Sequence, residues 1–269
     1  MSPDATGTGV EALLRGDLEL EGRILPASNA TFLGAVVVDA TTRVRCVYKP
    51  VAGERPLWDF PDGTLANREV AAYLVSESLG WDVVPPTVLR DGPAGPGMVQ
   101  AWREPDADQT PVDVVARGDV PAGYRHVLDA HDADDREVSL VHEDTAALRR
   151  MAVFDVVVNN ADRKGGHVLA MPDGHRHGVD HGVSFHVDTK LRTVLWGWAS
   201  EALTAEEQEA LELLREHLVP ASGDLAAVLE PLLAGDELQA LRGRVEVLLA
   251  ERVMPLPSGT WPAIPWPAF

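Results

Sequence analysis

Two isolated carboxylates in the middle of the chain are the residues best placed to do chemistry. Asp162 sits in a polar knot, Asn159-Asn160-Ala161-Asp162-Arg163-Lys164-Gly165-Gly166-His167, that ends an apolar helical run. Asp180 follows eighteen residues later in Gly178-Val179-Asp180-His181-Gly182. Each acid lies on a loop held by short apolar segments and glycines, the setting in which a rigid frame presents a reactive side chain. Such a pair suits one carboxylate that accepts a proton and another that ligates a metal. Five of the nine histidines, His167, His175, His177, His181 and His186, crowd into the same stretch. A second chemistry is therefore open, in which His175-x-His177-x-x-Asp180-His181 binds zinc or manganese as in a metal-dependent hydrolase. Against it, Pro172-Asp173-Gly174 reads as a hairpin tip, which would leave His175 and His177 on a solvent-exposed strand.

The lysines point to the same region. The chain has 20 arginines but only three lysines, Lys49, Lys164 and Lys190. Lysine is the compact point charge whose pKa responds to its surroundings, whereas arginine is a planar fork. Lys49 falls in an apolar strand, Lys164 in the polar knot and Lys190 shortly after Asp180. Glu69 stands twenty residues beyond Lys49, at the start of a helical pattern. A glutamate on a helix behind a strand lysine can hold that ammonium against nucleotide phosphates. Spacing alone allows equally a solvated glutamate that favours the helix dipole.

The elements that must position these groups follow from pattern. Residues 10–18 read as a short helix, 21–27 and 31–39 as strands joined by Ser28-Asn29-Ala30, and 44–50 as a third strand with alternating Val44, Cys46 and Tyr48. The amides of the Ser28-Asn29 turn are candidates for phosphate contact, as in a glycine-rich loop, although most such turns are only hairpins. Residues 51–67 are loop-like, with Trp58 and Phe60 as buried anchors or as part of a substrate mouth. Residues 68–79 form a helix with Val70, Tyr73, Leu74 and Leu79 on one stripe and Gly80 as its stop. Strands at 83–89 and 97–103 turn through Arg90-Asp91-Gly92-Pro93. Residues 104–122 read as a linker or surface insertion, and 124–130 with 137–142 as a hairpin. A helix from Asp144, a candidate N-cap, leads into the knot. Thr204-Ala205-Glu206-Glu207 is a capping box opening a helix to about residue 218, followed by helices at about 224–234 and 236–253. The tail from Pro255, with five prolines and two tryptophans, reads as an extended strap anchored by Trp261, Trp266 and Phe269.

Composition narrows the classes. Net charge is −19, with 42 acids against 23 bases, which disfavours nucleic acid and stable docking on anionic membranes. The single cysteine, Cys46, excludes an intrachain disulfide and Cys-rich zinc sites and suits a reducing cytoplasm. The first residues lack the cationic start and apolar core of a signal peptide, and no apolar run approaches the roughly 20 residues of a membrane span. A cytoplasmic protein is expected.

In chain order, then, come the strand lysine of Tyr48-Lys49-Pro50, the helix glutamate of Arg68-Glu69, a hinge strand, an Asp-Arg knot and a Val-Asp-x-Gly segment. From about residue 20 to about 220 this resembles the phosphatidylinositol 3-/4-kinase-like branch of the kinase superfamily, and within it an uncharacterised, mainly actinobacterial family. Asn160-Ala161-Asp162-Arg163-Lys164-Gly165-Gly166-His167 is similar to the Asp-Arg-x-x-x-Asn catalytic loop of those kinases. Gly178-Val179-Asp180-His181-Gly182-Val183-Ser184-Phe185 is similar to their Ile-Asp-x-Gly-x-x-Phe metal segment. The resemblance implies an α+β, two-lobed protein-kinase-like fold, with an antiparallel-sheet N-lobe (1–103) and a mainly helical C-lobe (104–269). It implies ATP with Mg2+ or Mn2+, and transfer of the γ-phosphoryl group to a hydroxyl of an unidentified acceptor, protein or small molecule rather than lipid. Lys49, held by Glu69, would contact the phosphates, Asp180 would bind the metal, and Asp162 would orient or deprotonate the acceptor. Arg163 and Lys164 would offset developing charge, and the backbone of Gln100-Ala101-Trp102 on the hinge strand would meet an adenine edge. His167 stands where the family pattern has asparagine as second metal ligand, and imidazole is a poorer ligand for hard magnesium. That departure keeps open an ATP-binding pseudokinase or an adenylyl-transferring enzyme.

Overall fold

The computed structural model describes residues 4–25, 29–55, 57–60, 64–219, 224–259 and 261–269. Five antiparallel strands, β1 (Asp17–Arg23), β2 (Phe32–Val37), β3 (Arg43–Pro50), β4 (Thr87–Gly92) and β5 (Gly95–Ala101), form a sheet in the order β1-β2-β3-β5-β4. Successive side chains of a strand face opposite sides. Cys46 and Tyr48 of β3 therefore join Val36, Val88 and Val99 beneath Leu13 of α1 (Asp4–Arg15). Lys49 faces the other way, in register with Met98, where Ala66 and Val70 of α2 (Leu65–Leu79) pack. A slip of one residue in β3 would turn Lys49 away from α2.

A second antiparallel sheet, order β6-β8-β7, consists of β6 (Val112–Ala116), β7 (Tyr124–His131) and β8 (Glu137–Glu143). Beyond it lie α3 (Ala146–Val158), the short hairpin β9 (Val168–Ala170) and β10 (Arg176–Gly178), and then α4 (Ala205–His217), α5 (Asp224–Leu229) and α6 (Gly235–Glu251). The main core joins Leu148, Met151, Phe154 and Val157 of α3 to Leu211 and Leu214 of α4 and Leu241 and Val245 of α6. An antiparallel-sheet N-terminal region and a helical C-terminal region make the α+β class plain.

Several local expectations need correction. The first helix stops at Arg15 and is followed by Gly16, which lies so close to the backbone of Val37 that a Cβ would sit 2.6 Å from its carbonyl oxygen. β1 accordingly begins at Asp17. The strand expected from residue 83 begins at Thr87, after Pro85 and Pro86, which have no N–H to donate. Its hairpin turns later than expected, between Gly92 and Gly95. The stretch read as a linker contains β6, paired to β8. Thr145, not Asp144, caps α3, accepting from the Leu148 amide at 3.3 Å, while Asp144 accepts from the Trp198 indole. α2 buries most of its circumference rather than one stripe, because the sheet covers one side and α4 and α5 pack on it as well.

Candidate active site

Register and helix packing bring Lys49 to a junction of two acids. Its Nζ lies 2.7 Å from Glu69 Oε1 and 2.6 Å from Asp180 Oδ1. The other Glu69 oxygen accepts from the backbone amide of His181 at 2.9 Å. One carboxylate of α2, only 1% exposed, thus holds both the strand lysine and the segment carrying Asp180, so the solvated alternative for Glu69 falls away. Glu54 sets the start of that helix, its carboxylate accepting from the amides of Leu65 and Ala66 at 3.1 and 2.8 Å. Burial works against charge on Lys49, but Asp180 and Glu69 outweigh it and hold its pKa above the ordinary lysine value.

Asp180 occupies left-handed backbone, φ 65°, a conformation that costs a non-glycine residue and is held here by its surroundings. Its carboxylate lines a cavity of about 220 Å3 together with Asn29, Lys49, Arg55, Glu69 and Asp162. The Lys49 ammonium, against the effect of burial, keeps the Asp180 carboxyl well below the usual carboxylate range. His167 Nε2 lies 3.4 Å from Asp180 Oδ2, while its Nδ1 is buried with no hydrogen-bond partner among the described residues. Burial, partly opposed by Asp180, lowers the His167 pKa, so the ring is neutral at pH 7 and can offer a nitrogen lone pair. Carboxylate oxygen plus neutral imidazole fits a divalent cation that accepts both donors, manganese better than magnesium.

Asp162 lines the same cavity. Its amide donates to Asn160 Oδ1 at 3.0 Å, and its carboxylate lies 3.3 Å from Lys164 Nζ. Arg163 departs from its expected part. It is fully buried and points into the protein, where Nε and a terminal nitrogen donate to Asp155 at 3.0 and 2.8 Å. Further donations run to the Val179 carbonyl at 3.1 Å and His181 Nε2 at 2.6 Å. The physical reason is the apolar packing of α3, which places Asp155 where a buried carboxylate must be paired. Arg163 therefore positions the two acid-bearing loops and does not face the cavity. Since arginine only donates, His181 keeps its Nε2 lone pair there and is held neutral, burial and then Arg163 forcing its pKa well down.

The remaining expected contacts divide. Ser28 lies outside the described residues. Asn29 lines the cavity, with its side chain accepting from the Arg55 amide at 2.9 Å. Gln100 shares the Lys49 face by register but turns its amide to Thr87 at 2.9 Å. The Trp102 amide donates to the Arg45 carbonyl at 2.9 Å and its indole to Glu104. Lys190 pairs with Asp59 at 2.8 Å and lies over the rings of Trp58 and Trp261; it ties the 57–60 loop to the tail. Of the expected tail anchors, Trp266 is exposed, and Phe269 packs on Gly165, whose amide donates to Ala268 at 2.8 Å. β10 is buried rather than solvent-facing, because Arg176 pairs with Glu143 at 2.7 Å. The four donors of the hydrolase alternative do not converge, since His181 is turned to Arg163 and Asp180 to Lys49.

Sequence reasoning missed Asp155, Glu54 and Arg55. For Asp155 there was a signal, an acid inside an apolar helical run that requires a buried partner. Glu54 and Arg55 lie in a loop with no periodicity to mark them.

No family model matches the chain. Protein Rv2133c of Mycobacterium tuberculosis is 52% identical over 266 residues, spanning 96% of this chain and 94% of that protein. The chain belongs to the Rv2133c family. Among solved structures, the Golgi casein kinase with Mn/ADP bound matches the present Rv2133c relative with a TM-score of 0.55 at 13% identity, over 96% of this chain and 81% of that one. The hydra Fam20 structure with sugar gives 0.54 at 13% identity, over 93% and 89%. At that identity the likeness speaks for the fold, and it gives this Rv2133c-family chain a kinase-like fold.

Proposed function

We propose that the chain is an ATP-dependent phosphotransferase of the phosphatidylinositol 3-/4-kinase-like type, with the lobes meeting near residues 103 and 104. The observation that carries this reading is Lys49 bridging Glu69 and Asp180 at 2.7 and 2.6 Å beside a cavity that Asp162 also lines. Lys49 and Arg55 bind the β- and γ-phosphates of ATP, and Lys164 neutralises charge next to Asp162. Asp180 and His167 hold a divalent ion, Mn2+ or Mg2+, which neutralises charge on the phosphates when bound. Asp162 orients an acceptor hydroxyl and takes its proton as the new O–P bond forms and the bond from the γ-phosphorus to the bridging oxygen breaks, releasing ADP. Catalysis is mainly positioning and electrostatics, which suits a lysine and a glutamate held rigidly by β3 and α2. The Golgi casein kinase in complex with Mn/ADP has the same fold, which supports nucleotide and manganese as ligands. A surface of net charge −19 favours a protein or small-molecule acceptor over an anionic lipid.

The test is a thermal-stability screen against nucleotides with Mg2+ or Mn2+, followed by transfer from labelled ATP, including to the protein itself. Stabilisation that needs both ATP and metal is expected.

A further inference from the structure

The histidines that fail to assemble around Asp180 have another partner. Strand β10 carries Arg176 and His177 and is preceded by His175, and residues two apart share a face of an extended chain. The two imidazoles meet with ring centroids 4.4 Å apart. Asp82, in the loop between α2 and β4, completes a group whose ligand atoms all lie within 4.8 Å of one another. We propose that Asp82, His175 and His177 form a divalent transition-metal site of the zinc type, separate from the Asp180 cleft.

Two independent observations support a ligand here. His177 is 5% exposed, and its Nδ1 is buried without a hydrogen-bond partner; Asp82 Oδ1 is buried and unpartnered in the same way. Buried polar atoms are ordinarily satisfied, and these two belong to the same three-residue group. Asp82 is also held at φ 50°, a left-handed conformation unfavourable for aspartate but less so than for bulkier residues. Two imidazoles and one carboxylate, with a fourth position for water, are a donor set that zinc accepts. Two imidazoles bias this group toward zinc more strongly than the Asp180 cleft, where a single imidazole stands beside the carboxylate.

The surrounding bonds say what such an ion would do. His175 Nε2 already meets the Asp82 carbonyl at 2.8 Å, and the Gly178 amide donates to Val83 at 2.7 Å. The metal clamps the loop after α2 to the hairpin that runs, two residues past Gly178, into Asp180. One neighbour opposes it. Arg103 Nε donates to His177 Nε2 at 3.3 Å. Metal on Nδ1 puts the proton on Nε2, so this guanidinium must swing aside. Removing it therefore strengthens the site.

The experiment uses the full chain, stripped with chelator and titrated without nucleotide with Zn2+ by calorimetry and with Co2+ by visible absorption. One equivalent is expected, with absorption typical of low-coordinate Co2+ and a rise in Tm. Partly exposed His175→Asn and Asp82→Asn lose affinity by at least about tenfold, with circular dichroism reporting that they fold. Asp180→Ala retains the zinc site, and Arg103→Gln binds more tightly than wild type. The proposal is overturned if wild type binds no stoichiometric zinc, or if binding survives in His175→Asn and disappears in Asp180→Ala. The zinc site does not depend on the phosphotransferase reading, and its failure would leave ATP-dependent stabilisation unaffected.

Discussion

Arg163 donates to Nε2 of His181 at 2.6 Å while clasping Asp155 with two of its nitrogens. One buried cation therefore joins the loop of Asp162 to the loop of Asp180, since each acid precedes one partner of that bond in sequence. Asp155→Ala leaves this guanidinium buried without its carboxylate. Urea denaturation is expected to show a loss of about 3–5 kcal/mol, the range for breaking a buried pair on one side. A near-neutral result would mean that Arg163 reaches solvent and does not organise the loops.

Glu69 offers a finer test, because it holds Lys49 with one oxygen and His181 with the other. Glu69→Gln keeps the shape but weakens a charge-assisted bond of about 1.5–3 kcal/mol. The KM for ATP should rise roughly 10- to 100-fold, and Lys49→Met should abolish ATP-dependent stabilisation. Unchanged ATP binding in both variants would remove Lys49 from the phosphate site.

Metal preference should follow His167. With an imidazole 3.4 Å from the Asp180 carboxylate, wild type is expected to be stabilised by ATP more strongly with Mn2+ than with Mg2+. His167→Asn supplies a hard oxygen and should move that ratio toward Mg2+. A ratio that does not respond would place the ring outside the coordination sphere.

Acid sensitivity has a source away from the cleft. His142 is fully buried; its Nδ1 donates to the Glu143 carbonyl at 2.8 Å and its Nε2 accepts from the Gly197 amide at 3.0 Å. Burial, with Arg125 adding to it and the bond to Glu143 opposing, lowers its pKa. The unfolded chain then binds the proton first, so stability is fully present above the ordinary histidine pKa and is lost as pH falls through it, by up to ~1.4 kcal/mol per pH unit. Urea melts at pH 7.5 and 5.5 should show this slope in wild type and a shallower one in His142→Gln.

Much of this was legible from pattern, for reasons that particular residues make clear. Alternation in β3 decides the side on which Lys49 emerges, and Thr204 with Glu207 forms the capping box as read, both local properties of the chain. Asp162 and Asp180, which line one cavity, and His167, 3.4 Å from Asp180, were legible because flanking glycines and apolar segments mark their loops. Arg163 was misread because nothing local separates a solvent-facing arginine from one that Asp155, eight residues earlier, draws inward. β6 was missed because its five residues, Val112-Asp113-Val114-Val115-Ala116, are flanked by Asp and Pro on one side and by Gly, Asp and Pro on the other, and its partner β8 lies more than twenty residues on. Asp82 could not be joined to His175 and His177 by spacing across more than ninety residues.

The central claim is that Asp180 serves nucleotide and metal while Asp162 serves transfer. It is tested most directly by measuring, for wild type, Asp180→Ala and Asp162→Ala, both the Tm shift with ATP and Mn2+ and the transfer of label from ATP. Wild type should show the shift and the transfer, Asp180→Ala neither, and Asp162→Ala the shift without transfer. Absence of any shift in wild type at saturating ATP with either metal, or full transfer by Asp162→Ala, would contradict it.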